Sequence, residues 1–489
     1  MSVRQLKKEN TQRNFTFWVA KKNTIMYKRK LTTVEHLFAY SPYSLVAVVA
    51  RIKGTITLEH LKRAVPKISQ KHILLQCKII NDNSGSLWFT SDTTGAIPVK
   101  SIKRTSDSQW MNVVETESKI PFDFDKHPPI RFILVQSSEE SELIILCHHI
   151  ICDGMSLAFL ANDLMTSLGN PEEKFEPLPH PIPISFENFP PEISMSGIVK
   201  FFIKRMNKKW ASKKVVFNQE DYAAISKAYW GNFQHKIMSI EMTEQQTSAL
   251  VKKCKAENVS VNSALTAAFV GAQVAVQGNL PAHASIAVAG DLRNRLPHPP
   301  GESMGFYASA INLKIKYNLQ KGFWDNARLF HQKIKPKVTN KNLFSEPLTW
   351  LHLDPSIMTA INFKKLGAMT DREAPSGEKL HTFSKSKDVV TSIIKRDKMD
   401  SFDHKVMGTA MTNLTKMNFP KTYGDLELDR LILHPGGAFP LRNVNMVVGA
   451  VTCSDKLSLI AEYEAESFDD TLMKKIREEV MTFLAVSEK

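Results

Sequence analysis

The chain has 489 residues, 43% of them hydrophobic, which is enough for two or three domains with apolar cores. No apolar run approaches the roughly 18 residues that a membrane-spanning helix needs, and residues 1–29 are basic and polar rather than signal-like. Five widely spaced cysteines indicate neither a disulfide framework nor a metal site, so we expect a cytoplasmic protein. A net charge of +15 favours anionic partners, but no nucleic-acid-binding motif accompanies it, so we expect no nucleic-acid partner.

In chain order, the first half alternates strand and helix patterns. The apolar run at 143–147 predicts a buried strand, and residues 156–165 predict the helix that follows it. Seven prolines between Pro171 and Pro191 then predict an extended, irregular linker. The composition therefore divides the chain near residue 180.

The linker leads into a basic amphipathic segment at 197–214, where apolar side chains alternate with seven lysines and arginines. The favoured interpretation is a crossover helix that packs on its own protein and turns its lysines to water. The alternative is contact with a membrane surface or with an acidic carrier protein.

The second half again mixes the two patterns. Thr243, with Gln246 three residues on, predicts a helix N-cap with a capping box. The predicted strands are 235–240, 284–289, 431–434, 445–451 and 457–463, and the predicted helices are 244–257, one capped by Ser260 or Asn262, 323–333 and 469–486. Strands interleaved with helices in both halves favour an α/β sandwich in each half.

The most informative segment is residues 148–154, His-His-Ile-Ile-Cys-Asp-Gly, where the strand at 143–147 gives way to a helix. Successive side chains on a strand point to opposite faces, so only one of His148 and His149 can face a given cleft. A neutral imidazole suits proton transfer near pH 7. The spacing thus predicts one working base and one supporting histidine.

This segment resembles the HHxxxDG signature of the acyltransferase superfamily, which includes chloramphenicol acetyltransferase-like enzymes, peptide-synthetase condensation domains, polyketide-associated acyltransferases and alcohol acyltransferases. Further segments resemble the family in the same order, from residues 30–38 through 121–132 and 304–307 to 412–414. The Asp-Phe-Gly-Trp-Gly segment of the plant members has no counterpart.

The resemblance implies two chloramphenicol acetyltransferase-like α/β sandwich lobes that form a pseudo-dimer with a central tunnel. We accordingly divide the chain into a basic extension (1–29), an N-terminal lobe (30–180), a linker with the crossover helix (181–232) and a C-terminal lobe (233–489).

The resemblance also implies roles for individual residues. His149 matches the general base, and His148 matches the first histidine, for which a supporting role is favoured. Asp153 could orient His149, but in the family it pairs with an arginine, for which Arg293 is preferred and Arg131 is the alternative. Removing one member of such a pair would leave a buried charge.

Two smaller residues complete the predicted site. Gly154 either leaves space for the substrate or permits a positive φ angle. Asn413 either donates a hydrogen bond to the acyl carbonyl or the pantetheine arm, or caps a turn.

The predicted function is acyl transfer from acyl-CoA, or from a carrier-bound phosphopantetheine thioester, to a small-molecule alcohol or amine. The thioester would be a co-substrate, with no permanently bound cofactor and no metal. Two alternatives stay open: amide-bond formation between carrier-bound substrates, and a non-catalytic docking protein of the same fold. A zinc site using His148, His149, Asp153 and a cysteine, or a Cys152–histidine hydrolase, is a less favoured interpretation.

Overall fold

The computed structural model describes residues 19–21, 24–82, 84–278, 285–396, 408–436 and 444–485. The strands are β1 (Val19–Lys21), β2 (Thr24–Met26), β3 (Lys28–Lys30), β4 (Leu45–Lys53), β5 (Lys78–Asn81), β6 (Leu87–Thr90), β7 (Val99–Lys103), β8 (Ile130–Gln136), β9 (Glu140–His148), β10 (His235–Glu241), β11 (Ile286–Asp291), β12 (Ala308–Leu313), β13 (Gly408–Lys416), β14 (Thr422–Tyr423), β15 (Leu426–His434), β16 (Val444–Cys453) and β17 (Lys456–Glu464).

The helices lie among these strands along the chain. They are α1 (Thr33–His36), α2 (Leu58–Lys71), α3 (Gln109–Ser118), α4 (Gly154–Gly169), α5 (Gly197–Ala211), α6 (Gln219–Asn232), α7 (Glu244–Ala256), α8 (Val261–Gln277), α9 (Phe323–Ile334), α10 (Asn340–His352), α11 (Pro355–Leu366), α12 (Gly377–Lys385), α13 (Val389–Arg396) and α14 (Asp470–Phe483). Among the described helices none is, by itself, long and apolar enough to cross a membrane; α7 and α8 meet that test only as a pair bent by 100°.

A six-stranded sheet carries the motif strand in its middle. Its order is β14-β15-β4-β9-β8-β7, and only β7 and β8 run parallel to each other. Residues 45–52 of β4 and 141–148 of β9 are buried without interruption. The apolar runs within them, 45–50 and 143–147, suit strands that are covered on both faces, which is why these runs show no polar alternation.

A second six-stranded sheet has the order β10-β17-β16-β13-β11-β12. Its apolar core is built with α8, which is buried along most of its length and packs against α9 and α14. The predicted N-cap of α7 is confirmed, since Thr243 and Gln246 form both hydrogen bonds of a capping box. Ser260, rather than Asn262, caps α8. The caps satisfy amide groups that a helix start otherwise leaves unpaired.

The two sheets exchange a strand. β15 follows β13 and precedes β16 along the chain, yet it pairs antiparallel with β4 in the first sheet. β15 also packs against β16 and β17, and a Cβ on Gly449 would lie 2.4 Å from the carbonyl oxygen of Leu433. Part of the segment predicted as the C-terminal lobe therefore lies in the first sheet, because the edge of β4 needs a hydrogen-bonding partner.

α5 packs on the protein through one face, as favoured from the sequence, with Ile203 and Trp210 buried. Its other face differs from that expectation, because the apolar side chains of Ile198, Phe201 and Phe202 are exposed there. A helical period explains the split, since residues 203 and 210 lie on the side opposite residue 201.

Candidate active site

The backbone at the end of β9 is held on both sides. The amide of His148 donates to the carbonyl of Pro129 at 2.9 Å, and that of His149 donates to the carbonyl of Ser44 at 2.9 Å. The chain then turns through residues 149–152, and α4 starts at Gly154 with Asp153 as its N-cap. This sequence of strand, turn and capped helix fixes where each motif side chain points.

The ring of His148 is fully buried and bonded at both nitrogens. Nε2 lies 3.0 Å from the carbonyl oxygen of Ser41, and Nδ1 accepts from the amide of Ile150 at 3.3 Å. A carbonyl only accepts, so Nε2 carries the hydrogen. Burial lowers the pKa of His148 to about 3, so the ring is neutral at pH 7. The structure gives this histidine a supporting position.

The ring of His149 points to the other side and remains partly exposed. Its Nδ1 lies 3.1 Å from the carbonyl oxygen of Cys152, so Nδ1 holds the hydrogen and Nε2 of the neutral ring is an acceptor. Phe38 lies at a centroid distance of 5.2 Å and Phe306, edge-on, at 5.6 Å. A Cβ on Gly436 would lie 3.4 Å from Nε2.

The protonation of His149 follows from these neighbours. Burial disfavours the charged ring and lowers its pKa below the usual value, while the carbonyls of Cys152 and Pro435 and the charge of Asp153 act in the opposite direction. The ring is therefore neutral at pH 7 and able to accept a proton at Nε2.

Asp153 makes its hydrogen bonds away from the His149 ring. Its Oδ1 accepts from the amide of Ser156 at 2.8 Å and from Arg293 at 2.8 Å, and its Oδ2 accepts from the amide of Tyr307 at 2.9 Å. Burial opposes ionisation, but Arg293 and these hydrogen bonds outweigh it and hold the pKa of Asp153 below its usual value. This carboxylate holds the turn and caps α4.

Arg293, the partner preferred from the sequence, is itself buried. It also donates to the carbonyls of Gly301 and Ser303, each at 3.1 Å, and to the hydroxyl of Ser156 at 2.7 Å. The alternative partner Arg131 instead lies 3.5 Å from Glu117. The Asp153–Arg293 pair thus links the motif turn to the loop that contains Phe306.

Gly154 does not have a positive φ angle, so that part of its predicted role is wrong. A Cβ added there would lie 3.1 Å from Leu414 and 3.2 Å from Leu433. The glycine therefore leaves space for two side chains from β13 and β15, and a role in leaving space for the substrate stays a prediction.

Asn413 lies at the end of β13. Its Oδ1 accepts from the amide of Thr415 at 2.7 Å, which is the turn-capping arrangement considered from the sequence. Thr415 has φ of 63°, and the cap stabilises this left-handed turn. A role of Asn413 in binding substrate stays a prediction.

A buried network of hydrogen bonds and ion pairs near the site was not predicted from the sequence. Glu462 lies 2.7 Å from His235 and 3.0 Å from His434, and Tyr229 lies 2.6 Å from the far nitrogen of His235. Burial alone would raise the pKa of Glu462, but His434 and His235 lower it to about 2. These residues come from four elements, and Tyr229 and His235 are far in sequence from His434 and Glu462, so no local pattern marks the set.

The network is connected to the surroundings of His149 by the backbone that follows β15. His434 is the last residue of β15, and the next two residues, Pro435 and Gly436, face the Nε2 side of the His149 ring. The carboxylate of Glu462 therefore holds the end of the strand that forms one wall of the site.

The less favoured chemistries have little structural support. Cys152 is buried and donates to the carbonyl of His148 at 3.4 Å, and burial together with Cys147 raises its pKa well above the usual value. A thiolate nucleophile is therefore disfavoured at this position. Within the described ranges, no three histidine, cysteine or acidic side chains are grouped as metal ligands.

A narrow crevice adjoins the site. The side chains that line it include those of Arg29, Glu35, Leu74, Met304, Phe306 and Tyr307, together with Pro181, Pro183 and Ile184 of the linker. Phe306 belongs to this crevice and to the surroundings of His149. The segment at 304–307, noticed in the sequence only as part of a resemblance, thus borders both the crevice and His149 through Phe306.

Comparison with known proteins agrees with this architecture. The family model described as "Condensation domain" matches residues 26–192, which include the motif. Cyclosporin synthetase simA of Tolypocladium inflatum is 24% identical over 164 residues, covering 33% of this chain and 1% of that protein. The chain thus corresponds to only a small part of this much longer relative.

Solved structures resemble the chain over nearly its whole length. Trichothecene 15-O-acetyltransferase TRI3 of Fusarium sporotrichioides has a TM-score of 0.62 at 10% identity, covering 96% of this chain and 98% of that one. Polyketide synthase associated protein 5 of Mycobacterium tuberculosis has a TM-score of 0.56 at 14% identity, covering 94% of this chain and 97% of that one.

The chain therefore has the α/β fold shared by condensation domains and chloramphenicol acetyltransferase-like acyltransferases, as its sequence predicts. The resemblance to the HHxxxDG superfamily is confirmed by the condensation-domain match and by these structures. At this identity the structures establish the fold, and the reaction has to be argued from the site.

Proposed function

We propose that the chain is an acyltransferase that moves an acyl group from a thioester to a hydroxyl or amino acceptor. The condensation-domain match and the acyltransferase fold support a transferase. The observation that carries the proposal is the state of His149: Nδ1–H is bonded to the carbonyl of Cys152, and Nε2 is left as an acceptor on a partly exposed ring.

In the proposed reaction, Nε2 of His149 takes the proton of the acceptor as its oxygen or nitrogen attacks the thioester carbonyl. The new carbon–oxygen or carbon–nitrogen bond forms a tetrahedral intermediate, whose collapse breaks the carbon–sulfur bond. The departing thiolate then takes up the proton from Nε2. The carbonyl of Cys152 stabilises the transient imidazolium, because it accepts from Nδ1–H throughout.

Asp153 has a positioning role in this proposal. Its oxygens are engaged by Ser156, Arg293 and Tyr307, so it does not hold the Nδ1 hydrogen as in a serine-hydrolase triad. Instead it fixes the turn that presents His149 and joins that turn to the loop carrying Phe306.

The donor in the proposal is acyl-CoA or a phosphopantetheine thioester on a carrier protein. Relationship to condensation domains of peptide synthetases supports a carrier partner, and the likeness in fold to a 15-O-acetyltransferase fits a hydroxyl acceptor. Amide formation between carrier-bound substrates is the alternative. Five free, buried cysteines fit the predicted cytoplasmic location. A membrane contact through residues 197–214 would be independent of this reaction.

The test incubates the purified chain with a series of acyl-CoAs and a mixed pool of alcohols and amines, with products identified by mass spectrometry. We expect esters or amides whose formation falls about 100- to 10,000-fold in His149→Ala. His60→Ala is the matched control, because His60 is exposed on α2 and should leave the rate unchanged.

The outcomes separate the alternatives. Full turnover by His149→Ala contradicts the proposed base. Turnover only with carrier-bound donor and acceptor amines favours condensation. A wild-type chain that binds a carrier but turns over no donor, with binding unchanged in His149→Ala, favours the docking protein.

A further inference from the structure

One face of α5 anchors the helix to the protein. Ile203 and Trp210 are buried, and the indole of Trp210 donates to Ser356 at 2.8 Å. The side-chain amide of Asn207 donates to the carbonyl of His352 at 2.8 Å. These contacts hold α5 against α10 and α11, so its outer face has a fixed orientation.

The outer face presents large apolar side chains to solvent. Ile198, Phe201 and Phe202 are 71%, 63% and 58% exposed, respectively. Residues three and four apart on a helix are neighbours, so these three side chains form one patch on the first turns. Contiguous exposed apolar side chains mark an interaction site more often than singly scattered ones do.

A further exposed aromatic side chain lies beside the helix. Phe186 in the linker is 54% exposed and packs on the ring of His352 at a centroid distance of 4.9 Å. His352 is the residue whose carbonyl holds Asn207 of α5. The linker therefore places an exposed aromatic side chain close to α5.

Exposed cations follow the apolar patch along α5. Lys204, Arg205, Lys208 and Lys209 are all exposed on the next two turns, on the side away from Ile203 and Trp210. Arg205 lies four residues from Phe201 and three from Phe202, so cation and aromatic rings are neighbours. Among the described salt bridges, none joins these four cations to an acidic side chain.

We propose that α5, with Phe186 beside it, docks on the surface of an anionic lipid bilayer. Projecting phenylalanines would enter the region between headgroups and acyl chains, while lysine and arginine side chains bind lipid phosphates. An acidic protein would satisfy the cations, but it would need a complementary hollow for two adjacent rings. The overall charge of +15 adds long-range attraction to an anionic surface.

The test is cosedimentation of the full chain with vesicles of phosphatidylcholine alone or with about one quarter phosphatidylserine. We expect binding to the anionic vesicles, weakening as salt is raised. Phe201→Ser with Phe202→Ser should reduce partitioning about tenfold or more. Replacing Lys204, Arg205, Lys208 and Lys209 by Gln should cause a loss at least as large on anionic vesicles.

Matched controls are drawn from the second lobe. Leu319→Ser with Val251→Ser removes two exposed apolar side chains, and Gln at Lys252, Lys255, Lys333 and Lys337 removes four exposed charges. Both controls should bind vesicles as the wild type does. Equal losses in the control and α5 variants, or no vesicle binding by the wild type, overturn the proposal.

An acidic carrier protein captured by the α5 face in the absence of any vesicle binding also overturns it. Acyl transfer to a soluble acceptor is measured in parallel. Since the α5 variants leave His149 untouched, that rate should not change, so a failed membrane test and a failed acyltransferase assay are distinguishable.

Discussion

The substitution Asp153→Asn isolates the charge of the buried pair at the motif turn. Asparagine has the same shape and is a good helix N-cap, so the bond to the amide of Ser156 can persist. What is lost is the negative charge opposite Arg293, whose side chain is only 4% exposed. Arg293 would keep its carbonyl partners at Gly301 and Ser303 but would lie buried without a counter-ion.

The expected loss of unfolding free energy is about 3–5 kcal/mol, the range found when one partner of a buried ion pair is removed. Loss of a cap alone would cost only about 1 kcal/mol, so the measured size tells charge from capping. Urea unfolding at pH 7, followed by intrinsic fluorescence, gives the value. Adding Arg293→Met to Asp153→Asn should cost less than the sum of the two single changes, because the unpaired charge is gone.

The same variant tests the role assigned to Asp153. Because the carboxylate does not bond to the His149 ring, folded Asp153→Asn should keep acyl transfer at pH 7.5 within about tenfold of the wild type. A triad aspartate would cost about 10,000-fold. The reasoning is refuted by a variant of unchanged stability, or by one that is well folded and loses activity on the triad scale.

Three further outcomes are expected. First, because burial lowers the pKa of His149, acyl transfer should stay constant from pH 8 through 7 and fall only below the usual histidine pKa of about 6.5; a pH–rate profile with a midpoint above 7 contradicts this. Second, Glu462→Gln leaves two buried histidines without their carboxylate and should lower the unfolding free energy by about 3 kcal/mol; denaturant titration at pH 7 measures it, and a loss below 1 kcal/mol would show that the network is not structural. Third, Gly449→Ala should destabilise more than Gly154→Ala, since its Cβ would meet the backbone oxygen of Leu433 at 2.4 Å rather than side-chain methyl groups at 3.1 Å and beyond; thermal denaturation of the pair should show at least 1 kcal/mol between them, and the reverse order would contradict the packing described.

Local patterns predicted several of the elements. The apolar run at 143–147 lies within β9, and the capping box of Thr243 and Gln246 sets the start of α7. Those signals are contained in a few neighbouring residues, where periodicity and hydrogen-bonding preference act directly. The motif at 148–154 likewise marked the turn at which the two histidines diverge.

Other features depend on residues far apart in the chain. His235, a partner of Glu462, lies 227 residues away in the chain. β15 pairs with β4 in the first sheet although its neighbours in the sequence, β13 and β16, belong to the second sheet. Nothing local to β15 specifies β4 as its neighbour, because an apolar strand suits either sheet. The sequence also did not predict that the phenylalanines of α5 are exposed. Composition shows that a helix is amphipathic, but it does not show which apolar residues the helix buries.

The exchange of β15 has a consequence for how a long substrate arrives. Seven residue pairs join β15 to β4, while β13 and β16, which precede and follow it along the chain, belong to the other sheet. Moving the two sheets apart would break those residue pairs, so β15 holds the sheets together. A flexible substrate arm that enters lengthwise would leave these pairs intact, whereas a bulky, rigid substrate would require them to break.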